Sequence, residues 1–227
     1  MSQVVLVVAA HPDDEVLGCG GTLARWADAG SAISVLFLTD GVAARSSNGP
    51  AMECHAQDRR RAAEKAAAVL GIAAVEFLDF PDNRIDGVEL LTVIKEIEDR
   101  VERICPQIVL THHVGDVNID HQLAHHATIT ACRPRPGLCV RELMFFETAS
   151  STEWRPAGST LPFVPDTFVD ISETLPRKLE ALKAYDAEMR PFPHARSLQG
   201  VESLAKWRGA TIGRSAAEAF VLGRRVI

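Results

Sequence analysis

A-A-H-P-D-D-E, at Ala9–Glu15, directly follows the apolar run V-V-L-V-V of Val4–Val8. A short β-branched run of this kind predicts a strand that is buried on both faces. One histidine, two aspartates and a glutamate therefore stand at the end of a buried strand, where ionisable groups are costly unless something pairs with them. The stretch predicts a divalent metal, zinc in the first place, at the end of the first strand.

Outward from this stretch, strands and helices alternate. The predicted strands are Val4–Ala9, Ile33–Leu38, Val75–Leu78 and Ile108–Thr111. The predicted helices are Asp14–Ala29, Ala56–Leu70, Leu90–Ile104 and Asp120–Cys132. Four repeats of strand and helix predict an α/β fold, a Rossmann-like and mostly parallel sheet that is flanked by helices.

The pattern changes after Arg133–Gly137. Two strands and three helices are predicted beyond it: Glu142–Phe146, Thr167–Asp170, Thr174–Met189, Ser203–Ile212 and Ala216–Leu222. Residues 42–52 are small and polar and predict a loop near the site. No polar linker separates the two parts, so we expect a single domain over residues 1–227 with a C-terminal elaboration.

Composition excludes several classes of protein. The 227 residues carry a net charge of −6 without a basic stripe, which argues against a nucleic-acid partner. No run of 18 apolar residues predicts a membrane helix. The five cysteines are scattered without a C-x-x-C pair, and we expect reduced thiols in a cytoplasmic protein.

In proteins with an open parallel sheet, small-molecule ligands bind at the carboxyl ends of the strands. Polar clusters occupy three of these ends: His11–Glu15, Thr39-Asp40, and the segment from His112 to His121. His11 and Asp14, spaced i and i+3, suit zinc, and His121 is the candidate third ligand. Two histidines and one aspartate leave a coordination position open for water, as in catalytic zinc sites.

The remaining acidic residues near this cluster suit supporting roles. Asp13 lies between the proposed ligands and is the candidate general base that takes a proton from the attacking water. Glu15, Asp40 and Asp120 are expected to orient the ligands from behind.

Each piece has a purely structural alternative. His-Pro-Asp alone is more often a turn and Asp-His alone more often a helix cap, but their convergence on one sheet edge favours the metal. For His112, His113, His125 and His126 taken singly, a structural role is the preferred interpretation.

These residues resemble the PIG-L/LmbE-like N-deacetylases, metal-dependent hydrolases that remove an acyl group, usually acetyl, from an amino sugar. The resemblance rests on A-H-P-D-D-E with Gly20-Gly21 beyond it, and on Asp116-x-Asn118-x-Asp120-His121. It reaches into Pro193-His194-Ala195-Arg196-Ser197 and Ala216–Phe220 and so covers nearly the whole chain. It implies that His11, Asp14 and His121 bind zinc or another divalent metal and that Asp13 is the base. It also implies a small N-acylated substrate and a homo-oligomer.

The second motif departs from the family at Asn118, where well-known members carry a histidine that stabilises the oxyanion. An asparagine amide can donate a hydrogen bond to an oxyanion, but it cannot act as a cationic acid. We therefore expect His194 or His113 to supply the missing imidazole.

Substrate contacts are predicted from residue type and from position on loops or helix starts. Arginine suits phosphate or carboxylate groups, and a tryptophan face suits a sugar ring. The candidate residues are Arg59, Arg84, Glu147 and Trp154.

Three alternatives remain open: a non-catalytic Rossmann-like binding protein, a hydrolase of a non-sugar amide, and an acyltransferase. The first alternative leaves Asp13 unexplained. A dinucleotide-binding protein would also need a G-x-G-x-x-G turn after the first strand, and this sequence has none there.

Overall fold

The structure, a computed structural model, describes residues 2–41 and 50–227. Its strands all belong to one sheet. They are β1 (Val4–Ala9), β2 (Ala32–Thr39), β3 (Ala74–Phe80), β4 (Ile108–His112), β5 (Glu142–Phe146), β6 (Thr167–Asp170) and β7 (Ala217–Arg225).

Helices follow most of these strands in the chain. They are α1 (Asp14–Asp28), α2 (Pro50–Leu70), α3 (Leu90–Ile104), α4 (Ile119–Ala131), α5 (Leu175–Lys183) and α6 (Leu198–Ala210). Short 3-10 turns occupy Ile85–Gly87 and Thr152–Trp154. None of the helices described is long and apolar enough to cross a membrane.

The sheet has the order β3-β2-β1-β4-β5-β7-β6. Strands β1 to β5 pair in parallel, whereas β7 runs antiparallel to both β5 and β6. The predicted mostly parallel α/β sheet is confirmed. Because β1 and β4 are neighbours, the sequence after Ala9 and the sequence after His112 meet at one edge, although about a hundred residues separate them along the chain.

Alternate residues of β1 supply two hydrophobic cores. Val5 and Val7 pack on one face with α1, α2 and α5, and Leu6 and Val8 pack on the other with α3 and α4. All four side chains are buried, which is why the run in β1 is continuously apolar.

The predicted helix at Ala216–Leu222 is wrong, because this segment belongs to β7. Its alanines favour a helix in isolation, but the segment inserts between β5 and β6. Glu218 is buried there and forms an ion pair with Lys178 of α5. The Glu218 carboxylate also accepts hydrogen bonds from the backbone of Gly21 and Thr22 in α1. Tertiary partners thus override the local preference.

Other predicted boundaries in the C-terminal part also shift. The helix expected over Thr174–Met189 ends at Lys183, and the one expected from Ser203 begins at Leu198, capped by the Ser197 hydroxyl. Of the loop predicted over residues 42–52, residues 42–49 lie outside the described residues, and Pro50 already begins α2.

The prediction of reduced cysteines is wrong for one pair. Cys105, which follows α3, forms a disulfide with Cys139, which precedes β5. The residues lie 34 positions apart, so spacing alone gave no signal. Cys19 and Cys132 are free thiols and both are buried.

Candidate active site

Three side chains converge where β1 and β4 end. Nδ1 of His11 lies 3.3 Å from Nε2 of His121, and each nitrogen lies 3.3 Å from Oδ2 of Asp14. All three residues are buried. Ligand atoms bound tetrahedrally to zinc at roughly 2.0–2.1 Å lie roughly 3.3–3.4 Å from one another. The triangle therefore has the dimensions of one face of a tetrahedral metal site.

A buried polar atom supports the same conclusion. Oδ1 of Asp14 has no hydrogen-bond partner among the described residues. A buried carboxylate oxygen without a partner is energetically unfavourable, and a cation at the triangle would compensate it. The residues present therefore fit a divalent metal with two nitrogen ligands and one oxygen ligand.

Carboxylates fix the opposite nitrogen of the first imidazole. Nε2 of His11 lies 3.2 Å from Asp82 and 3.2 Å from Asp120. A proton on Nε2 leaves Nδ1 with a free lone pair towards the triangle, which is the tautomer that a metal ligand needs. Backbone amides of Asn83 and Ile85 hold Asp120 in turn.

The second imidazole has the same arrangement. Nδ1 of His121 lies 3.2 Å from Oδ2 of Asp116. The hydroxyls of Ser151 and Thr152 donate to the Asp116 carboxylate and hold it in place. Both imidazoles of the triangle are therefore oriented by buried carboxylates, and His121 is ready to offer Nε2 to a cation.

These contacts set the protonation of the metal-free site. Burial opposes a charge on His121, but Asp14 and Asp116 raise its pKa to about 9. Burial likewise opposes a charge on His11, whose pKa is nevertheless raised well above its usual value by hydrogen bonds that begin with Asp120. Both shifts favour the protonated imidazoles over the neutral ones in the metal-free protein.

Asp13 adjoins the triangle in a strained conformation. It is 1% exposed and its φ is 121°, a region that L-residues rarely adopt. Its N–H donates to Glu15, which in turn accepts from the Tyr185 hydroxyl at 2.6 Å. Its carboxylate accepts from Arg196 at 2.8 Å. Such strain persists only where surrounding contacts fix it, and it is characteristic of functional sites.

Electrostatics suit Asp13 to proton transfer. Burial raises its pKa above the ordinary value, against the lowering effect of Arg196 and Arg59. A carboxylate with a raised pKa is a better proton acceptor near neutral pH. Burial also raises the pKa of Glu15 to about 8.

Local hydrogen bonds hold the side chain of Asn118. It caps α4, because its Oδ1 accepts from the backbone of Asp120 and His121. Its Nδ2 donates to Asn83 at 3.2 Å. The side chain lines the site, but the cap fixes its orientation.

A cavity of about 250 Å³ opens over the triangle. Of the residues predicted from sequence, the structure brings seven to its wall: His11, Asp13, Asp14, Arg59, Asn118, His121 and Trp154. Arg59 forms an ion pair with Glu188 at 2.7 Å, and Trp154 is 54% exposed at the mouth. Glu15 and Asp120 lie behind this wall and contact it through hydrogen bonds.

Other predicted residues lie outside the cavity wall. Arg84 is exposed beyond β3, and Glu147 forms a two-point ion pair with Arg208. The cavity is lined by Gly41 rather than by the adjacent Asp40. The structure therefore does not bring Arg84 and Glu147 to the predicted site, and the supporting role expected of Asp40 stays a prediction.

Neither candidate imidazole for the missing histidine reaches the wall. The His194 ring packs edge-on against Trp154, with centroids 5.5 Å apart, and its Nδ1 accepts from the backbone of Arg196. His113 packs edge-on against Phe163 and faces the Leu161 carbonyl. The expectation that one of them supplies the imidazole is not supported by these positions.

Sequence reasoning missed several residues of the site. Asp82 follows β3, so the strand-end rule that found the other clusters could have found it. His112 ends β4 and stacks on His121 with centroids 3.9 Å apart. Ser150, Ser151, Glu188 and Arg196 also line the cavity. They come from the C-terminal part, where the pattern has no periodic signal, and in the Pro193–Ser197 loop the resemblance directed attention to His194 rather than to Arg196.

His125 makes stability depend on pH. It is buried, it donates to the His112 carbonyl, and burial lowers its pKa from 6.5 to about 4. The unfolded chain therefore binds more protons between pH 6.5 and 4, so the free energy of unfolding falls by about 3 kcal/mol as pH decreases through this window. Chemical denaturation across the window should show a smaller pH dependence for His125→Gln, whereas exposed His126→Gln should keep the wild-type dependence. Equal pH dependence in wild type and His125→Gln would contradict this assignment.

The fold and the site together define a metal-dependent hydrolase of the α/β class. The family model described as PIG-L, GlcNAc-PI de-N-acetylase, matches residues 6–132, more than half of the chain. The chain therefore belongs to the PIG-L family, which confirms the predicted family and the predicted class of enzyme, an N-deacetylase. The match contains both motifs that build the triangle.

Individual relatives agree with this assignment and add a second chemistry. The chain is 31% identical over 187 residues to the uncharacterized deacetylase YaiS of Escherichia coli K12, covering 80% of this chain and 89% of YaiS. It is 33% identical over 196 residues to 4-oxalmesaconate hydratase of Pseudomonas putida, covering 78% and 71%. The N,N'-diacetylchitobiose deacetylase structure from Pyrococcus horikoshii, at 20% identity, shows the same fold, with a TM-score of 0.79 over 98% of this chain and 84% of that one.

Proposed function

We propose that the protein hydrolyses the acetamide of an N-acetylated amino sugar, with zinc or another divalent metal held by His11, Asp14 and His121. The observation that carries the proposal is the triangle of two nitrogens and one oxygen with 3.3 Å edges. The family description supports the substrate class, because it names the removal of an acetyl group from a glucosamine derivative.

The bound metal would activate water and polarise the acetamide carbonyl. Asp13 takes the proton that water loses as its oxygen bonds to the acyl carbon. The C–N bond then breaks, and the same proton, delivered by the Asp13 carboxyl, leaves on the amine. Acetic acid and the free amino sugar result, and the acid then loses its remaining proton to the amine or to solvent, so both water protons are accounted for without a second acid.

The cavity supports recognition of a sugar on one side. Trp154 is half-exposed at its mouth and offers an aromatic face to a sugar ring. Arg59 lies in the wall beside Gly41, where a Cβ would come within 2.6 Å of the guanidinium. Because Gly41 has no side chain, the Arg59 guanidinium can lie against it. We propose that Arg59 binds hydroxyl or acidic groups of the substrate.

A substrate panel tests the proposal. Metal-loaded protein is incubated with N-acetylglucosamine, its glycosides and nucleotide-linked forms, and with N-acetyl amino acids as non-sugar amides. We expect equal amounts of acetate and primary amine from at least one amino sugar. Release from the amino acids alone would replace the amino sugar by another amide.

A second candidate activity has its own support. The Pseudomonas relative is a hydratase, and Asn118 provides no cationic acid at the position where the family pattern has histidine. Hydration of a double bond conjugated to carboxylates adds the water oxygen to one carbon and returns the proton held by the base to the other, so no amine departs. Loss of ultraviolet absorbance from an unsaturated dicarboxylate, without acetate release from any amide, would favour this activity.

A further inference from the structure

Arg196 joins the catalytic base to the C-terminal part of the chain. Its Nη1 donates to Asp13 at 2.8 Å, and its Nε donates to the Ser150 hydroxyl at 2.9 Å. The side chain is 17% exposed and lines the cavity above the triangle. Burial opposes its charge, but the Asp13 and Asp14 carboxylates raise its pKa above the usual range. The guanidinium is therefore a fixed cation at the reaction centre.

The guanidinium retains donors for a substrate. It has five N–H groups in a planar fork, and the two bonds to Asp13 and Ser150 use two of them. The bond to Asp13 occupies Oδ2, which leaves Oδ1 of the same carboxylate for the water proton. One side chain can thus orient the base and contact the group that the water attacks.

Among the described residues of the cavity wall, Arg196 is the cation that donates a hydrogen bond to Asp13. Asn118 is neutral, and its Oδ1 is used by the α4 cap. His11 and His121 form the triangle, and Arg59 forms its ion pair with Glu188. The family pattern places a histidine at the Asn118 position, so a protein cation that adds to the metal in stabilising the developing negative charge would have to come from elsewhere in this chain.

We propose that Arg196 is the catalytic residue that compensates for Asn118: it orients Asp13 through Oδ2 and donates its remaining N–H groups to the oxygen that becomes negative. The proposal rests on the proposed function of the same site. Arg196 lies outside the segment that the family model matches, residues 6–132. The C-terminal elaboration would then complete the reaction centre rather than only cover it.

Kinetics of three variants test the proposal. Arg196→Ala should lower kcat by roughly 10²–10³-fold, the effect of removing one oxyanion donor, with KM and metal content within about threefold of wild type. Arg196→Lys keeps the charge but not the planar fork of N–H groups, so its kcat should lie between those of Arg196→Ala and wild type. Arg214→Ala, at an exposed position after α6, is the control and should retain the wild-type kcat.

Chemical rescue separates catalysis from mere structure. Guanidinium ion at low millimolar concentration should raise the kcat of Arg196→Ala at least about tenfold and leave the kcat of Asp13→Asn unchanged. A kcat of Arg196→Ala within threefold of wild type, or a tenfold loss that guanidinium does not reverse, would overturn the proposal. If Arg196→Ala does not fold, Arg196→Lys decides: a wild-type kcat at an unchanged melting temperature overturns it.

Acetate binding distinguishes this proposal from the proposed function. Calorimetry on metal-loaded protein should show that Arg196→Ala binds acetate, the product anion, at least about tenfold more weakly. One outcome is weaker acetate binding by Arg196→Ala together with a wild type that deacetylates no compound of the substrate panel. This outcome would support the role of Arg196 and reject the amino-sugar reaction. Unchanged acetate binding with normal wild-type turnover would reject the role of Arg196 alone.

Discussion

Asp13→Asn should lower kcat for acetamide hydrolysis by roughly 10²–10⁴-fold, the range of general base catalysis. Asparagine has nearly the same shape as aspartate but cannot take a proton from water. It also tolerates positive φ better than most residues, so the φ of 121° at this position does not prevent folding. Its Oδ1 can still accept from Arg196. The variant therefore removes the base and its charge beside Arg196 while keeping the shape of the side chain.

Steady-state kinetics with coupled acetate detection measure this change. Metal content of Asp13→Asn should equal that of wild type, because Asp13 is not part of the triangle. Asp86→Asn, at an exposed position in the turn after β3, is the control and should retain full activity. An Asp13→Asn enzyme with more than a tenth of the wild-type kcat would assign the base to another group.

His121→Ala should weaken metal binding by more than about 100-fold. Removal of a supporting partner alone costs roughly 10–100-fold in metal affinity, and this change removes a ligand atom as well. His126→Ala, on the exposed face of the same helix, is the matched control and should bind one equivalent of zinc as wild type does. Competition with a chromophoric chelator measures both affinities.

Metal binding should also depend on pH in a defined direction. The pKa of His121 in the metal-free protein is about 9, so a metal displaces a proton from it at pH 7. Apparent affinity should rise with pH up to about 9. Calorimetry in buffers with different ionisation enthalpies should detect proton release by wild type and less by His121→Ala. Affinity that is constant from pH 6 to 9 would contradict the assignment.

Much of the fold is determined by local patterns. Buried strands such as β1 and β4 are continuous β-branched runs, and their order with the helices implies parallel pairing. The error at β7 has a tertiary cause, because Glu218 is stabilised in the interior by Lys178 and by backbone amides of α1. Nothing within residues 216–222 encodes those partners.

The site divides in the same way. The convergence of His11, Asp14 and His121 could be predicted, because they lie at the end of β1 or in the first turn of a helix that follows a strand, and β1 and β4 are neighbours. Arg196 could not be placed, because its contact with Asp13 spans 183 residues and depends on how the loop before α6 packs.

The most direct test of the account is acetate release before and after metal removal. The best substrate of the panel is incubated with protein as purified, with protein treated with chelator, and with treated protein reloaded with one equivalent of zinc. We expect activity that is lost on chelation and regained on reloading, with His121→Ala inactive throughout. Equal acetate release by the chelated wild type, shown to be metal-free, would contradict a metal-dependent deacetylase at His11, Asp14 and His121.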